Sequence, residues 1–294
     1  MRWRNHPRTR QDGAVTSAGT DVVAQLRAAG CVFAEEEARL LIAAAAETGN
    51  ALEALVAQRV HGTPLEHVLG WAEFHGLRVS VSPGVFVPRQ RTMFLVDRAV
   101  ELVRARTGHP VIVDLCCGSG ALGMAAATIL AAEGRTVTLA AADIDPVAVE
   151  CARRNLTPLG APVYRGDLFD ALPEELRGCI DILLCNTPYV PSAMIAQMPP
   201  EARDHEPRTT LDGGSDGLDI FRRVAADAPA WLAPGGHLLI ESSEDQAPLA
   251  LAVLSEHGLA GDVAESGEHY ATVVIGTRPS ASWPHISSSG ETVV

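Results

Sequence analysis

Acidic residues lie near the ends of three successive apolar segments of this sequence. Asp114 lies near the end of the run Val111–Leu115, and Asp143 and Asp167 follow the next two runs. Polar groups at the carboxyl ends of parallel strands meet at one edge of a sheet, where open α/β sheets bind their ligands. The first run continues into residues 118–123, whose G-x-G-x-x-G spacing is typical of a strand–loop–helix turn that binds a nucleotide. The sequence therefore predicts a nucleotide site at this edge.

The charge of Asp114 indicates which kind of nucleotide the loop would bind. A dinucleotide places its pyrophosphate at this position, and a carboxylate would repel it. S-adenosylmethionine (SAM) brings an ammonium and a sulfonium instead, which a carboxylate stabilises. Asp143 follows Gly118 at about the spacing of a ribose-binding acid, and Asp167 would meet the adenine amine. Together the three carboxylates predict a SAM site.

The fourth apolar run ends in Asn186-Thr187-Pro188-Tyr189. These residue types fit methylation of a planar nitrogen, such as an amide or a base amine, whose delocalised lone pair is a poor nucleophile. The Asn186 side-chain oxygen and the Thr187 carbonyl oxygen can accept hydrogen bonds from the NH₂ group, which localises its lone pair. Pro188 would stiffen the loop, and Tyr189 offers a flat face for stacking. We predict that this tetrapeptide acts through positioning rather than acid–base chemistry.

An alternating βα fold is needed to bring these segments together. Helical stretches separate strand-like runs at Val111–Leu115, 137–142, Val163–Arg165, Ile180–Cys185 and 237–241, and two further runs follow at 261–265 and 270–275. This order predicts a parallel sheet with helices on both faces and a closing antiparallel pair. Asp145 is expected to cap the helix 146–155.

The region that precedes the first of these strands predicts a small helical domain over residues 20–75. Asp21 is expected to cap its first helix, and Ala34–Thr48 carries three glutamates in its first turn, where the helix dipole favours them. Gly49-Asn50 is expected to end that helix and to cap the next, over 51–59.

A β-hairpin linker is expected over residues 76–91. The alternation of apolar residues over 77–81 predicts its first strand and residues 85–87 the second, with Ser82-Pro83-Gly84 as the turn. The predicted organisation is then a disordered tail over 1–19, the helical domain, the linker, a sheet-containing domain over 92–278 that starts with a helix at 92–106, and a disordered tail over 279–294.

Composition excludes several functional classes. With 47% hydrophobic and 20% charged residues among 294, the chain can bury a core. The net charge of −13 disfavours nucleic-acid binding. All 23 basic residues are Arg, which excludes lysine-dependent catalysis. Six cysteines without a C-x-x-C pair, and no apolar run long enough for a membrane span, predict a cytoplasmic protein with reduced thiols and no metal site.

Further motifs occur in order along the chain. The tetrapeptide at 186–189 corresponds to an Asn-Pro-Pro-Tyr motif, and Pro234-Gly235-Gly236 is a turn that precedes a late strand with Glu241. Others are Gly62-Thr63-Pro64-Leu65, Leu69-Gly70, Phe74-His75-Gly76, Glu206-Pro207, Leu211, Gly213-Gly214 and Asp216-Gly217-Leu218. In these motifs the chain resembles, over about residues 59–275, the HemK-type family of SAM-dependent methyltransferases, which modify a glutamine of peptide-release factors.

The resemblance implies a helical substrate-binding domain, a β-hairpin link and a seven-stranded, Rossmann-like class I methyltransferase domain. It implies that SAM is the cofactor and that the partner is the Gly-Gly-Gln region of a release factor. On the matching motifs, the residues expected to bind the cofactor are Asp114, Cys116, Cys117, Gly118, Ser119, Gly120, Asp143, Ile144, Asp167, Leu168 and Asn186. The expected catalytic residues are Asn186, Thr187, Pro188 and Tyr189.

Four places depart from the family pattern. The family's Pro-Arg-Pro-Glu-Thr-Glu reads Pro-Arg-Gln-Arg-Thr-Met at 88–93, which removes two acidic positions. Thr187 replaces a proline, Cys116 a loop glycine and Leu168 an aromatic residue. The acceptor therefore stays open between a release-factor glutamine, an adenine amine in nucleic acid, and an amide of a small molecule or peptide. A SAM-binding module without catalysis is a further alternative, which the intact Asn and Tyr of the tetrapeptide disfavour.

Overall fold

The computed structural model describes residues 17–280. The chain divides into two compact units, with the boundary between Leu69 and Gly70. Residues 17–19, expected in the first tail, are helical. The predicted tail residues 1–16 and 281–294 lie outside the described part of the chain.

Four helices form the described part of the first unit: α1 (Ser17–Ala28), α2 (Ala34–Thr48), α3 (Leu52–Val60) and α4 (Leu65–Leu69). Their aliphatic faces meet in a core that includes Leu26, Leu41 and Leu55. Arg59 and Glu37 are buried as a pair, with the Arg59 Nε atom 2.6 Å from Oε2 of Glu37. Each charge compensates the other, which a buried site requires.

The helix ends in this unit agree with the sequence in part. Helix α2 has the predicted bounds and ends at Gly49, whose left-handed backbone donates its N–H to the Ala45 carbonyl. Asp21 is not a cap, because α1 already begins at Ser17. The cap position of α3 is occupied by Ala51 rather than Asn50, since the helix begins one residue later than expected.

The second unit opens with a β-hairpin, but not the predicted one. Strand β1 (Trp71–Phe74) pairs antiparallel with β2 (Leu77–Ser80). His75 and Gly76 between them have φ of 51° and 70°, which gives a two-residue hairpin turn that matches the strand twist. The expectation that residues 77–81 pair with 85–87 was therefore wrong. Val81, Val85 and Val87 instead pack together beside Ala72, and Val79 is buried in the larger core, which explains the apolar pattern.

A seven-stranded sheet forms the body of this unit. Its strands are β3 (Val111–Leu115), β4 (Thr138–Asp143), β5 (Val163–Arg165), β6 (Ile180–Cys185), β7 (Leu232–Ser242), β8 (Ala260–Ser266) and β9 (Ala271–Thr277). They lie in the order β5-β4-β3-β6-β7-β9-β8. The first five in this order pair in parallel, and β9 is antiparallel to both of its neighbours. Each strand overlaps a predicted run, which confirms the α/β class.

Helices cover both faces of the sheet. Helices α5 (Met93–Arg104), α6 (Ala121–Ala132) and α7 (Pro146–Leu156) pack on one face, α9 (Asp219–Trp231) and α10 (Ala247–Glu256) pack on the other, and the short α8 (Pro200–His205) precedes α9. Neighbouring strand residues such as Ile112 and Val113 are buried on opposite faces, so the strands read as continuous apolar runs. Among residues 17–280 no helix combines the length and apolarity that a bilayer crossing requires.

The strand order reverses between β3 and β6. From β3 the chain proceeds through β4 to β5 on one side, and from β6 to β7 on the other. The connections diverge at this point, which leaves a crevice at the carboxyl ends of β3 and β6. The predicted glycine loop follows the first of these strands and the predicted catalytic tetrapeptide follows the second.

Candidate active site

A cavity of about 630 Å³ lies at the carboxyl ends of β3, β4 and β6. Segments from 84–92 and 208–212 complete its wall. The predicted site residues that line it are Asp114, Cys116, Cys117, Gly118, Ser119, Asp143, Ile144, Asp167, Leu168, Asn186, Thr187, Pro188 and Tyr189. The predicted cofactor-binding and catalytic residues, Gly120 excepted, thus surround one space.

Asp114 lies at the base of this cavity. The residue is 1% exposed, and Oδ2 accepts a hydrogen bond of 2.8 Å from the N–H of Gly123. Burial raises the pKa of Asp114 to about 7, against the effect of that hydrogen bond. Among residues 17–280 no cation pairs with this carboxylate. A buried carboxyl of this kind favours a positively charged ligand, which would restore its ionised form.

The glycine loop after β3 depends on left-handed backbone. Cys116, Gly118 and Gly120 have φ of 56°, 54° and 76°. Gly120 begins helix α6 and does not line the cavity; a Cβ atom there would lie 3.0 Å from the Leu156 side chain. Its contribution is therefore the turn itself. Cys116, where the resembled family has glycine, holds a conformation that costs a side-chain-bearing residue energy.

Asp143 joins the glycine loop to the start of the next helix. Its Oδ2 atom accepts from the N–H of Gly118 over 2.8 Å, and Oδ1 accepts from the N–H of Asp145 over 2.9 Å. Burial raises the pKa of Asp143, while these backbone hydrogen bonds work in the opposite direction. Asp145 caps α7 as predicted, by accepting from the N–H groups of Val147 and Ala148.

The third predicted acid pairs with an arginine that also lines the cavity. Oδ2 of Asp167 accepts a hydrogen bond of 2.7 Å from Nη2 of Arg223. Leu168, which follows it, is buried with φ of 50° and presents an apolar side chain where the resembled family has an aromatic one. Ile144, after the second acid, is 62% exposed and gives the cavity another apolar edge.

Asn186 follows β6 directly. Its Oδ1 atom is buried and has no hydrogen-bond partner among the described residues. An acceptor oxygen without a partner is costly in a folded protein, and such atoms are concentrated at sites that bind ligands. Because Asn186 lines the cavity, this oxygen can serve a donor that enters with a ligand.

The hydroxyl of Tyr189 is held by charged neighbours. It donates to Oε1 of Glu241 over 2.7 Å and accepts a hydrogen bond from Nη2 of Arg91. Thr92 donates to the other oxygen of Glu241. Burial, and then the carboxylate of Glu241, raise the pKa of Tyr189 above its usual value. The phenol therefore stays protonated and offers the cavity a neutral ring.

The main chain of the loop that carries Tyr189 is held by a hydrogen bond from Gln246 and by close packing against Gly213. Nε2 of Gln246 donates to the carbonyl oxygens of Tyr189, over 2.9 Å, and of Asp216, over 2.8 Å. A Cβ atom at Gly213 would lie 2.6 Å from the carbonyl oxygens of Pro188 and Gly217. Two segments far apart in sequence thus pack main chain against main chain.

Sequence reasoning missed Arg91, Thr92 and Gln246 as members of this site. A signal existed for Arg91, because it replaces an acidic residue in a recognisable motif. Thr92 keeps the motif residue; it lines the cavity and donates a hydrogen bond to Glu241. No pattern in the sequence distinguishes Gln246.

Comparison with known proteins finds methyltransferases, both as a matching family and as individual relatives. The family described as "Methyltransferase small domain" matches residues 77–198. A release factor glutamine methyltransferase of Streptomyces coelicolor is 39% identical over 193 residues, 65% of this chain and 67% of the relative. One of Bradyrhizobium diazoefficiens is 35% identical over 255 residues, 80% of this chain and 84% of the relative. A 4-amino-L-phenylalanine/4-methylamino-L-phenylalanine methyltransferase of Streptomyces pristinaespiralis is 36% identical, over 65% of each chain.

Proposed function

The chain belongs to the family of release factor glutamine methyltransferases, and from this we propose that it transfers a methyl group from SAM to the side-chain amide nitrogen of a glutamine in a peptide-chain release factor. The observation that carries the proposal is the buried Oδ1 atom of Asn186, which has no partner among the described residues and belongs to a residue that lines the cavity. A release-factor substrate would place the enzyme in the cytoplasm.

The charged groups of the cavity fit SAM. Asp114, which has no cationic partner among residues 17–280, would receive the ammonium group. Asp143 would accept hydrogen bonds from the ribose hydroxyls through the lone pairs that its backbone contacts leave free. Ile144 and Leu168 would flank the adenine, and Asp167 would accept from its amine. Bound there, SAM supplies a methyl group activated on a positively charged sulfur.

The residues that follow β6 would prepare the acceptor nitrogen. Oδ1 of Asn186 would accept one hydrogen bond from the amide NH₂, and the Thr187 carbonyl oxygen would accept the other. These bonds draw the lone pair out of conjugation with the carbonyl and aim it into the cavity. The ring of Tyr189 would pack against the plane of the amide, so the rate comes from orientation.

A methylation assay tests the proposal. The purified enzyme is incubated with isotope-labelled SAM and a release-factor domain that contains Gly-Gly-Gln, and mass spectrometry locates the label. We expect one added methyl on that glutamine, and none when the glutamine of the domain is replaced by alanine. Transfer to duplex DNA or RNA without transfer to the protein, or no transfer to the domain, would contradict the proposal.

A second candidate acceptor is a small molecule that carries a negative charge. Arg91 places a half-exposed guanidinium on the cavity wall, at a position where the resembled family has glutamate. The relative from Streptomyces pristinaespiralis is named for amino-acid substrates. The same assay with aromatic amino acids and short glutamine peptides distinguishes the two candidates by the ratio of kcat/KM values.

A further inference from the structure

Three side chains around the Tyr189 hydroxyl form a closed hydrogen-bonded set. Tyr189 donates to Oε1 of Glu241 over 2.7 Å and accepts from Nη2 of Arg91. Arg91 also donates from Nε to the same oxygen of Glu241, over 2.8 Å. We call Arg91, Tyr189 and Glu241 the tyrosine clamp.

The two charged residues of the clamp, Arg91 and Glu241, differ in their exposure to solvent. The side chain of Glu241, in β7, is 3% exposed, whereas that of Arg91 is 47% exposed. A buried carboxylate without a countercharge is costly, so the guanidinium allows Glu241 to remain ionised and to keep accepting from the phenol. The guanidinium carbon of Arg91 also lies 5.9 Å from the centre of the Tyr189 ring. The cation thus supports both the carboxylate and the ring.

We propose that Arg91 and Glu241 are positioning residues that act through Tyr189, by holding its ring at the angle at which it stacks on the acceptor amide. The inference rests on the proposed function. A tyrosine ring rotates about two side-chain bonds. Fixing the position of its hydroxyl restricts rotation about the Cα–Cβ bond before the acceptor arrives. Rotation about the Cβ–Cγ bond is biased by the two hydrogen bonds, which favour partners near the ring plane, and by the guanidinium beside the ring. Arg91 stands where the resembled motif has an acidic residue, so the cation of the clamp departs from that motif.

A double-mutant cycle on methyl transfer tests the clamp. Tyr189→Phe keeps the ring and removes the hydroxyl, and Arg91→Met keeps the length of the side chain and removes its charge. We expect each single variant to lower kcat about tenfold, with the Kd for SAM within twofold of the parent value. The double variant should be no slower than Tyr189→Phe alone, because both changes act on one group.

Two further variants serve as controls for this double-mutant cycle. Arg91→Lys keeps the positive charge and should recover part of the lost kcat. Arg104→Met removes the same side-chain type from the exposed pair with Glu133 and should leave kcat unchanged. If Arg91→Met slows the Tyr189→Phe enzyme as much as it slows the parent, Arg91 does not act through Tyr189 and the proposal is overturned.

A spectroscopic measurement is independent of the acceptor. The chain has three tyrosines, so an enzyme labelled with ¹³C at the tyrosine Cζ atoms gives few resonances, and Tyr189→Phe identifies that of Tyr189. We expect Arg91→Met and Glu241→Gln to shift this resonance and Arg104→Met to leave it in place. An unmoved resonance in Arg91→Met overturns the clamp, even if release-factor methylation is found. A shifted resonance without glutamine methylation supports the contacts of the clamp and rejects the proposed function instead.

Discussion

Oδ2 of Asp143 lies 2.8 Å from the backbone nitrogen of Gly118 and accepts its hydrogen bond. The other oxygen of the same carboxylate holds the N–H of Asp145, at the start of α7. One side chain at the end of β4 therefore ties together the glycine loop and the next helix while it lines the cavity. Any ligand bound to this carboxylate is bound to a fixed group, whose orientation costs nothing further on binding.

Asp143→Ala should weaken SAM binding by about 10- to 100-fold, because it removes a charged acceptor and releases two backbone N–H groups. Isothermal titration calorimetry measures the affinity. Asp170→Ala, at an exposed aspartate outside the cavity wall, is the matched control and should bind SAM like the parent. Equal affinity in the Asp143 variant and the parent would remove Asp143 from the cofactor site.

Asn186→Ala should lower the rate of methyl transfer by about 100- to 1,000-fold, as expected when a positioned hydrogen-bonding group is lost. SAM should still bind measurably, since the carboxylates at the other strand ends are untouched. Single-turnover transfer and calorimetric SAM binding are measured on the same preparation. Turnover equal to that of the parent would refute the role assigned to the Oδ1 atom.

The affinity for SAM should fall as the pH is lowered from 7 to about 5.5. The pKa of Asp114 is raised to about 7 by burial, so the carboxyl of the free enzyme is protonated below that pH and must lose its proton to bind the ammonium. SAM keeps its ammonium charge over this window. Calorimetry in two buffers of different ionisation enthalpy should show proton release at pH 7.

Asp114→Asn provides the control for this pH dependence, because its amide cannot titrate. The variant should bind SAM weakly at every pH of the window. The free parent enzyme should also lose stability as the pH rises from about 4 through 7, because its folded-state pKa lies above the unfolded one. Thermal melts of Asp114→Asn should lack that contribution. A parent affinity independent of pH would contradict the assignment of Asp114 to the ammonium.

Gly213→Ala should displace the loop that carries Pro188 and Tyr189. The added Cβ atom would lie 2.6 Å from the carbonyl oxygens of Pro188 and Gly217, and backbone cannot move aside as a flexible side chain can. We expect a kcat lowered at least tenfold and a lower melting temperature. Gly267→Ala, where no atom lies within 4 Å of the new Cβ, should change neither quantity. An unimpaired Gly213→Ala enzyme would show that the loop tolerates movement.

The positions of most strands were predictable because the parallel strands are buried on both faces. Such strands appear in the sequence as short apolar runs. Helix caps such as Asp145 depend on contacts with residues two and three positions away, which the local sequence specifies. The hairpin was mispredicted because the alternation at 77–81 was paired with the wrong segment. The turn at His75-Gly76, with two left-handed residues in succession, decides that pairing.

The site was predictable where it follows strand ends, and not where it depends on distant contacts. Asn186 and the three carboxylates could be placed at one edge from topology alone. Tyr189 meets Glu241 across 52 residues of sequence and Arg91 across 98, through loops whose course no local pattern specifies. Gln246 reaches two carbonyl oxygens in the same way.

Every cation on the cavity wall is a guanidinium, and each is paired with a carboxylate. The pairs are Arg89 with Glu206, Arg91 with Glu241, Arg208 with Asp212 and Arg223 with Asp167. Because the chain has no lysine, reagents that acylate amines find no side chain to modify, here or elsewhere in the molecule. In a mixture with a lysine-bearing acceptor, an amine-directed cross-linker would find side-chain amines on the acceptor alone. Acetylation, a common means of cancelling positive charge on enzymes, has no side-chain target here.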